Sequence, residues 1–174
     1  HLVNGDFVDG AKGWSVEPAE ENSIRIDRKP GLGRLQTRSV GDTGLVTVRS
    51  AKRPNTFSQA INDLQPGGLY TFRMMTCDYE DMSKREKHAV TVKLENVTLI
   101  PGKSLSIIFP DASFVFVEKH KTWLNYHWVL FRAKGTTAKL TVSDWASDDK
   151  SGGGIGQELI YNYFQVQPYY ESAK

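Results

Sequence analysis

The chain has 174 residues, of which 39% are hydrophobic and 11% aromatic, and a chain of this size can bury a core without disulfides or metal clips. Its 22 basic and 20 acidic residues are interspersed and leave a net charge of +2, which argues against a nucleic-acid partner. One cysteine, Cys77, excludes an intrachain disulfide, and no apolar run approaches the roughly 18 residues of a membrane span. We therefore expect one globular domain over residues 1–174, without nucleic acid or membrane as a partner.

The first segment, residues 2–14, reads L-V-N-G-D-F-V-D-G-A-K-G-W. Its Asn, Gly and Asp residues favour tight turns, and Phe7 and Trp14 are its large apolar anchors. The pattern predicts a short strand and a tight loop that two aromatic side chains fix to the core. Trp14, like Trp123 further along, is interpreted as part of the fold.

Short alternating or apolar runs then follow, separated by Gly, Pro, Asn and Asp. The Pro66-Gly67 turn between two such runs is a strong turn signal. Strands are predicted at 15–18, 24–27, 45–48, 56–61, 69–77, 89–94, 97–100, 104–109 and 113–117.

The stretch from Thr122 to Trp145 holds two runs rich in β-branched and aromatic residues around Lys134-Gly135-Thr136. This composition predicts an antiparallel hairpin. The first arm is apolar on both faces and is expected to be covered on both sides, with Trp128 packed. In the second arm one face is polar, and alternation puts Trp145 at its end.

A last strand is predicted at 158–166, which Pro168 ends. About ten strand-like runs without a convincing amphipathic helix indicate an all-β fold. An antiparallel β-sandwich of the jelly-roll type is the natural version at this length.

Catalytic and nucleotide-binding motifs are missing from this sequence. Gly152 to Gly156 lacks the Lys-Ser/Thr pair of a phosphate loop, and no G-x-S-x-G or H-E-x-x-H occurs. The four histidines have no partner at metal or triad spacing. The charged loop at 78–87 does not match an EF-hand, so we expect a binding or structural protein rather than an enzyme.

Several pieces occur in an order that resembles the galactose-binding-domain-like carbohydrate-binding modules. They are L-V-N-G-D-F with G-W at 13–14, S-Q-A-I followed by L-Q-P-G-G-L-Y-T-F, T-W-x-x-Y with L-T-V-S-D-W, and a final G-Q-E-L-I-Y-N-Y-F-Q-V. The resemblance covers residues 2–168. It implies a jelly-roll module attached to a secreted or periplasmic polysaccharide-degrading enzyme, at its C-terminus.

The resemblance also implies a structural calcium ion in many members, but this sequence departs from that pattern. Val8 follows Phe7 where a Glu is common, and Asn162-Tyr163 stands where Asp is common. Asp6, Asp9 and Asn162 remain candidate ligands together with backbone carbonyls. No cofactor is expected to be required.

A sugar is bound by laying an aromatic ring against its C–H face while polar side chains take its hydroxyls. If the strands ending at Cys77 and Trp145 run the same way, the loops at 78–87 and 146–156 emerge together. The carbohydrate site predicted at this edge comprises Trp145, Tyr79, Asp78, Glu80, Asp148 and Asp149, and Arg73 is added because its strand face alternates with the core. Alternatively, Trp145 caps the core and these loops are solvated.

The leading hypothesis is a non-catalytic module, monomeric by itself, that binds a polysaccharide or oligosaccharide and targets a covalently linked glycoside hydrolase. The alternative is a structural β-sandwich that packs on a neighbouring catalytic domain without binding sugar. An exposed Trp145 ringed by polar groups would favour sugar, whereas a broad apolar patch would favour packing.

Overall fold

The computed structural model describes residues 1–30, 32, 41–110 and 123–171. This part of the chain contains strands and one 3-10 turn at Pro101–Lys103, and none of its helices could span a membrane. The predicted strand at 113–117 lies outside the described residues. The strands are β1 (Ser15–Glu17), β2 (Ile24–Arg28), β3 (Thr43–Val48), β4 (Thr56–Ile61), β5 (Leu69–Asp78), β6 (Thr91–Glu95), β7 (Val97–Leu99), β8 (Leu105–Pro110), β9 (Trp123–Ala133), β10 (Ala138–Ser143) and β11 (Glu158–Pro168).

The strands form two antiparallel sheets. The small sheet has the order β1-β4-β10-β6, and the large sheet has the order β2-β3-β11-β5-β9-β7, with β8 also paired to β9. The two sheets pack as a β-sandwich of the jelly-roll type, so the predicted fold class is confirmed. In the large sheet the last strand, β11, lies between β3 and β5.

The core lies between the sheets and is built from alternate residues of each strand. The large sheet contributes Phe72 and Tyr161, and the small sheet contributes Phe57 and Leu140, all of them fully buried. The opposite residues of each strand face away from this core, as the period of two requires. The face of the large sheet that points away from the small sheet is called its outer face.

The N-terminal loop is anchored as the sequence predicts. The Trp14 ring lies 4.9 Å from that of Phe164 and 5.2 Å from that of Phe7, and all three are buried. Gly5 is needed here because a Cβ at this position would come within 2.2 Å of the Phe164 carbonyl oxygen. The aromatic anchors and the glycine of the first segment therefore have a direct structural explanation.

The predicted hairpin around Lys134-Gly135-Thr136 is wrong. β9 pairs with β5, β7 and β8 in the large sheet, whereas β10 pairs with β4 and β6 in the small one. The connection at residues 134–137 carries the chain from one sheet to the other. A short Gly-containing loop serves equally well within a sheet or across a sandwich, so composition alone does not distinguish the two.

Candidate functional site

The two loops of the predicted binding edge do lie at the same end of the sandwich. The Gln157 amide, which follows the Gly-rich loop, is 3.5 Å from the carboxylate of Asp78. In addition, the Tyr79 backbone N–H donates to the Glu158 carbonyl at 2.9 Å. The start of β11, where the Gly-rich loop ends, therefore lies beside the end of β5, where the loop at 78–87 begins.

Trp145 does not offer an exposed ring at this edge. Only 8% of this residue is accessible, and its carbonyl accepts from the Thr91 hydroxyl at 2.8 Å. β10 ends at Ser143, so strand alternation no longer fixes where the side chain at position 145 points. Of the two sequence interpretations of Trp145, the structure matches the one in which the indole caps the core.

Tyr79 is held by charged neighbours. Its hydroxyl donates to Asp27 at 2.6 Å, and both Arg25 and Lys29 lie 4.8 Å from its ring centre. This hydrogen bond raises the pKa of Tyr79 and lowers that of Asp27. Arg25 also binds Glu158 through two hydrogen bonds of 2.7 and 3.1 Å. The ring is thus committed to a local network of charges.

Of the predicted carboxylates at the start of the 78–87 loop, Asp78 has partners within that loop. Asp78 is buried and accepts from the Asp81 backbone at 2.8 Å and from Lys84 at 3.3 Å. Glu80 is exposed, and its carbonyl accepts from Lys29.

The two aspartates of the Gly-rich loop are exposed and have local partners too. Asp148 pairs with Lys93 of β6 at 2.6 Å, and Asp149 accepts from the Ser147 hydroxyl at 2.6 Å. Among the described residues, no hydrogen bond, ion pair or ring contact joins Trp145 to any of the other predicted edge residues. Whether this edge binds sugar stays a prediction.

The three candidate calcium ligands are not joined by any described contact. The amide nitrogen of Asn162 donates to the carbonyls of Gly41 (2.7 Å) and Thr43 (2.5 Å), and its strand lies in the large sheet. Asp6 and Asp9 lie in the N-terminal loop, and within the described residues no group of three or more acidic, His or Cys side chains could hold a metal ion. The calcium site that the resemblance implies is therefore a matter for a metal-removal experiment.

In the N-terminal loop the side-chain amide of Asn4 forms hydrogen bonds with backbone carbonyls. The Asn4 amide nitrogen donates to the carbonyls of Gly10 at 2.9 Å and Lys12 at 3.0 Å, and its oxygen accepts from the Asp9 backbone. Carbonyls that converge on a positively polarised group are the usual surroundings of a hard cation. Here the amide of Asn4 takes that role.

We therefore expect EDTA to leave the melting temperature unchanged, while Asn4→Ala lowers the free energy of unfolding by about 1–3 kcal/mol. Thermal unfolding of both proteins with excess calcium and with EDTA checks this. A calcium site saturated a hundredfold would add about 2.7 kcal/mol. A loss of several degrees in EDTA would show that the loop holds an ion.

A second group of aromatic and polar side chains lies on the outer face of the large sheet. Register places Arg73 of β5 directly opposite Trp128 of β9 on one side and opposite Gln165 of β11 on the other. Tyr126 lies two residues from Trp128 and therefore on the same face. Arg73, Tyr126 and Trp128 are partly buried, and Gln165 and Gln167 are exposed. We call these five residues the Arg73 face.

The polar atoms of the Arg73 face are arranged around one guanidinium. A single Nη of Arg73 donates to the side-chain carbonyls of both Gln165, at 3.1 Å, and Gln167. The Nε–H of Arg73 and the Nε1–H of Trp128 are buried, and neither has an acceptor among the described residues. Buried donors are normally paired. The described part of the chain supplies no acceptor for either of these two.

One ion pair joins segments that follow two strands of the large sheet. Lys103 follows β7, Glu171 follows β11, and their side chains meet at 3.0 Å. Lys103 also lies 5.5 Å from the ring centre of Tyr169.

Of the Arg73 face, the sequence identified only Arg73, and Trp128 was expected to be packed. The missing information was register, which brings the glutamines of β11 beside Arg73. The alternation of Tyr126 and Trp128 with His127 was a usable signal, because it puts both rings on one face. Composition could not show which face lies away from the core.

Another open groove, of about 570 Å³, runs along the small sheet and includes Ser15, Ser58, Glu95 and Lys139. Its lining contains small and polar residues and no aromatic ring. It lacks the flat ring that a sugar needs for stacking. The Arg73 face is therefore the stronger candidate.

His127 and its two hydroxyl neighbours resemble a nucleophile hydrogen-bonded to a general base. The two ring nitrogens of His127 lie 3.3 Å from the Ser106 hydroxyl and 3.2 Å from that of Thr76. Burial lowers the pKa of His127 to about 4, so the imidazole is a weak base at neutral pH, and its second partner is a hydroxyl rather than a carboxylate. This geometry does not favour hydrolysis.

Comparison with family models and with curated proteins finds no match. Solved structures with similar folds exist. A Stig cyclase, FisC from Fischerella sp. TAU, has a TM-score of 0.58 at 11% identity and covers 97% of this chain and 96% of its own. The carbohydrate-binding module TmCBM61, solved with β-1,4-galactotriose, has a TM-score of 0.51 at 14% identity, with 97% of each chain covered.

The enzymatically active domain of tailspike protein 4 from bacteriophage CBA120 has a TM-score of 0.57 at 8% identity over 97% of this chain. The chain spans 21% of that protein. Carbohydrate-binding modules and enzymes thus share this fold, and fold alone does not assign an activity. What the comparisons establish is the architecture: this chain is a β-sandwich jelly roll of the kind found in a carbohydrate-binding module.

Proposed function

We propose that this chain is a non-catalytic carbohydrate-binding module that binds a polysaccharide or oligosaccharide on the Arg73 face. One observation carries the proposal: the partly buried rings of Trp128 and Tyr126 lie beside a guanidinium and two side-chain amides on a sheet face that points away from the core. Aromatic rings can stack on the C–H face of a sugar, and guanidinium and amide groups can form hydrogen bonds with its hydroxyls.

The physical basis is the two-sided nature of a sugar. Its C–H face packs on an aromatic ring, which gives a broad contact at a low cost in side-chain entropy. Its hydroxyls accept from N–H donors, and the Arg73 face has two buried donors without acceptors among the described residues. A strand-borne site is also held rigidly, so little order has to be gained on binding.

In its full form the proposal is a galactose-binding-domain-like module, monomeric by itself, attached to a glycoside hydrolase that is secreted or periplasmic. Binding would keep the catalytic domain near its substrate and raise its effective concentration there. Similarity in fold to a module solved with β-1,4-galactotriose supports the class of ligand. The sugar itself is left to experiment.

Affinity electrophoresis against a panel of polysaccharides, with β-1,4-galactan included, tests the proposal. We expect retardation by at least one glycan, and we expect Trp128→Ala to weaken it by about 2 kcal/mol, or roughly thirtyfold, since buried rings dominate such contacts. Trp145→Phe serves as the control because it keeps a buried ring at the loop end, and its retardation should equal that of the parent.

The opposite pattern is equally informative. Loss of retardation in Trp145→Phe with binding retained in Trp128→Ala would move the site to the 145 edge. Melting temperatures of both variants, measured alongside, separate lost binding from lost folding.

A second candidate function is a structural domain that packs on a catalytic neighbour. It is favoured by Ile107 of β8, which is 48% exposed and lies opposite Tyr126 on the outer face. An exposed apolar side chain beside an aromatic ring adds to an apolar surface that a neighbouring domain could cover. Absence of binding to every glycan, together with reduced solubility relative to an Ile107→Lys variant, would favour this function.

A further inference from the structure

Arg73 has no carboxylate among its described partners. Arg25 and Lys84, by contrast, pair with Glu158 and Asp78, and Arg49, which is buried, donates to several backbone carbonyls. The side-chain bonds of Arg73 go to Gln165 and Gln167, which are neutral. Within residues 1–30, 32, 41–110 and 123–171, no Asp or Glu forms an ion pair with it.

The acidic residue of β11 on the same face is already engaged. Glu158 accepts two hydrogen bonds from Arg25, which also bonds to Asp27. Arg73 therefore remains a partly buried positive charge, and the described residues supply no acceptor for its buried Nε–H. Removing a charge from water without a counter-charge is costly, and a charged partner offsets that cost.

We infer that the glycan bound at the Arg73 face carries an anionic group, a uronic acid carboxylate or a sulfate ester, that pairs with Arg73. This inference rests on the proposed carbohydrate-binding function and specifies its ligand class. A guanidinium binds carboxylate and sulfate oxygens through paired, charge-assisted hydrogen bonds.

The local geometry suits such a ligand. Trp128 and Arg73 are opposite each other on neighbouring strands, so their Cα atoms are about 5 Å apart. A pyranose ring stacked on the indole therefore brings a substituent at its edge within reach of the guanidinium. The glutamines at 165 and 167 bind one Nη and fix the orientation of the guanidinium plane.

Matched polysaccharide pairs test the charge requirement with the backbone held constant. One pair is polygalacturonate and its fully methyl-esterified form, and the other is κ-carrageenan and its chemically desulfated form. The pairs distinguish a carboxylate from a sulfate as the recognised group. We expect the protein to bind the charged member of at least one pair about tenfold more tightly, as measured by titration calorimetry or affinity electrophoresis.

Two variants separate a specific contact from general attraction. Arg73→Gln should remove the preference for the charged member, whereas Arg53→Gln, which lowers the net charge equally at an exposed position of the chain, should retain it. Arg73→Lys should restore part of the preference because it keeps the charge but not the planar fork.

Each remaining outcome is decisive. Equal binding to the neutral and charged members, or an equal loss of preference in both Gln variants, overturns the inference and leaves the proposed function standing. Failure to bind any of these polysaccharides or any glycan of the wider panel overturns both.

Discussion

Replacement of Arg49 by Met is expected to lower the free energy of unfolding by about 3–5 kcal/mol, because several buried oxygen atoms would lose a charged donor at about 1–3 kcal/mol each. Arg49 is 1% exposed. Its guanidinium donates to the carbonyls of Asp144 and Ser151, to that of Ala89 at 2.8 Å and to the Gln157 side chain at 3.1 Å. The change would leave these carbonyls without their donor.

The loss should also be local to the Gly-rich loop, because Arg49 holds its two ends. A Cβ at Gly153 would lie 2.8 Å from Arg49 Nε and 2.7 Å from Gln157 Oε1, so the glycine makes room for the guanidinium. We expect Arg49→Met to lower the melting temperature by roughly 6–20 °C, at about 2–4 °C per kcal/mol, and to open residues 150–156 to proteolysis.

Arg53→Met is the matched control. Arg53 also donates to backbone carbonyls, those of Pro18 at 2.7 Å and Ala19 at 3.4 Å, but it is exposed. Its loss should change the free energy of unfolding by less than about 1 kcal/mol. If thermal denaturation gave similar losses for the two variants, the buried network around Arg49 would not carry the stability assigned to it.

Acidification should destabilise the protein through His127 by about 3 kcal/mol. Burial lowers the pKa of this imidazole to about 4 from its usual 6.5. Between these values the unfolded chain binds a proton that the folded chain does not, so stability falls as the pH drops from about 6.5 to about 4. The figure follows from a difference of about 2.5 pKa units at about 1.36 kcal/mol each.

His127→Gln isolates this contribution because it keeps a polar side chain beside Thr76 and Ser106 but removes the titration. Denaturant unfolding at pH 7 and at pH 4.5 should show a smaller drop in stability for this variant than for the parent. Burial also lowers the pKa of His88, which acts in the same direction, and raises that of Asp144, which acts in the opposite direction. Both groups are present in each protein and cancel in the comparison.

The terminal His1 provides the control. His1→Gln removes a histidine that lies beside the Asn62 carbonyl and the Tyr70 ring, and it shows what the loss of another histidine does at both pH values. Parallel pH profiles for the parent and His127→Gln would show that His127 does not govern acid stability.

Strand positions could be predicted from the sequence because alternation and turn residues are local signals. Runs such as 56–61 and 69–77 reappear as β4 and β5 with nearly the same ends. The aromatic anchors Phe7 and Trp14 could likewise be predicted, since few other large apolar residues lie near them in the sequence. The jelly-roll class followed from the number and spacing of these runs.

Pairing between distant segments could not be predicted in the same way. The connection at 134–137 joins two sheets rather than two neighbours in one sheet, and both uses have the same composition. Alternation was carried past Ser143, where β10 ends, although the extended backbone that justifies it stops there, and Trp145 is buried. The rule fails where the backbone leaves the extended conformation.

The candidate site was even harder to predict from the sequence, because its residues come from three strands. Arg73, Trp128 and Gln165 are neighbours through register alone. Arg49 and its partners likewise come from four separate segments, none of which carries a motif. A polar residue found singly in a sequence does not reveal whether its partner is water or another buried group.

The position of β11 determines when the protein can fold during synthesis. As the ribosome works from the N-terminus, β3 and β5 are made early, but the strand that lies between them is made after all the others described here. Until residues 158–168 emerge, β11 is missing from the large sheet. The edges of β3 and β5 that it will cover then have no strand to pair with. Such edges are prone to pair with other chains. We therefore expect the large sheet to close only after synthesis has passed residue 168, and ribosome-bound chains that stop before 158 to depend on chaperones for solubility.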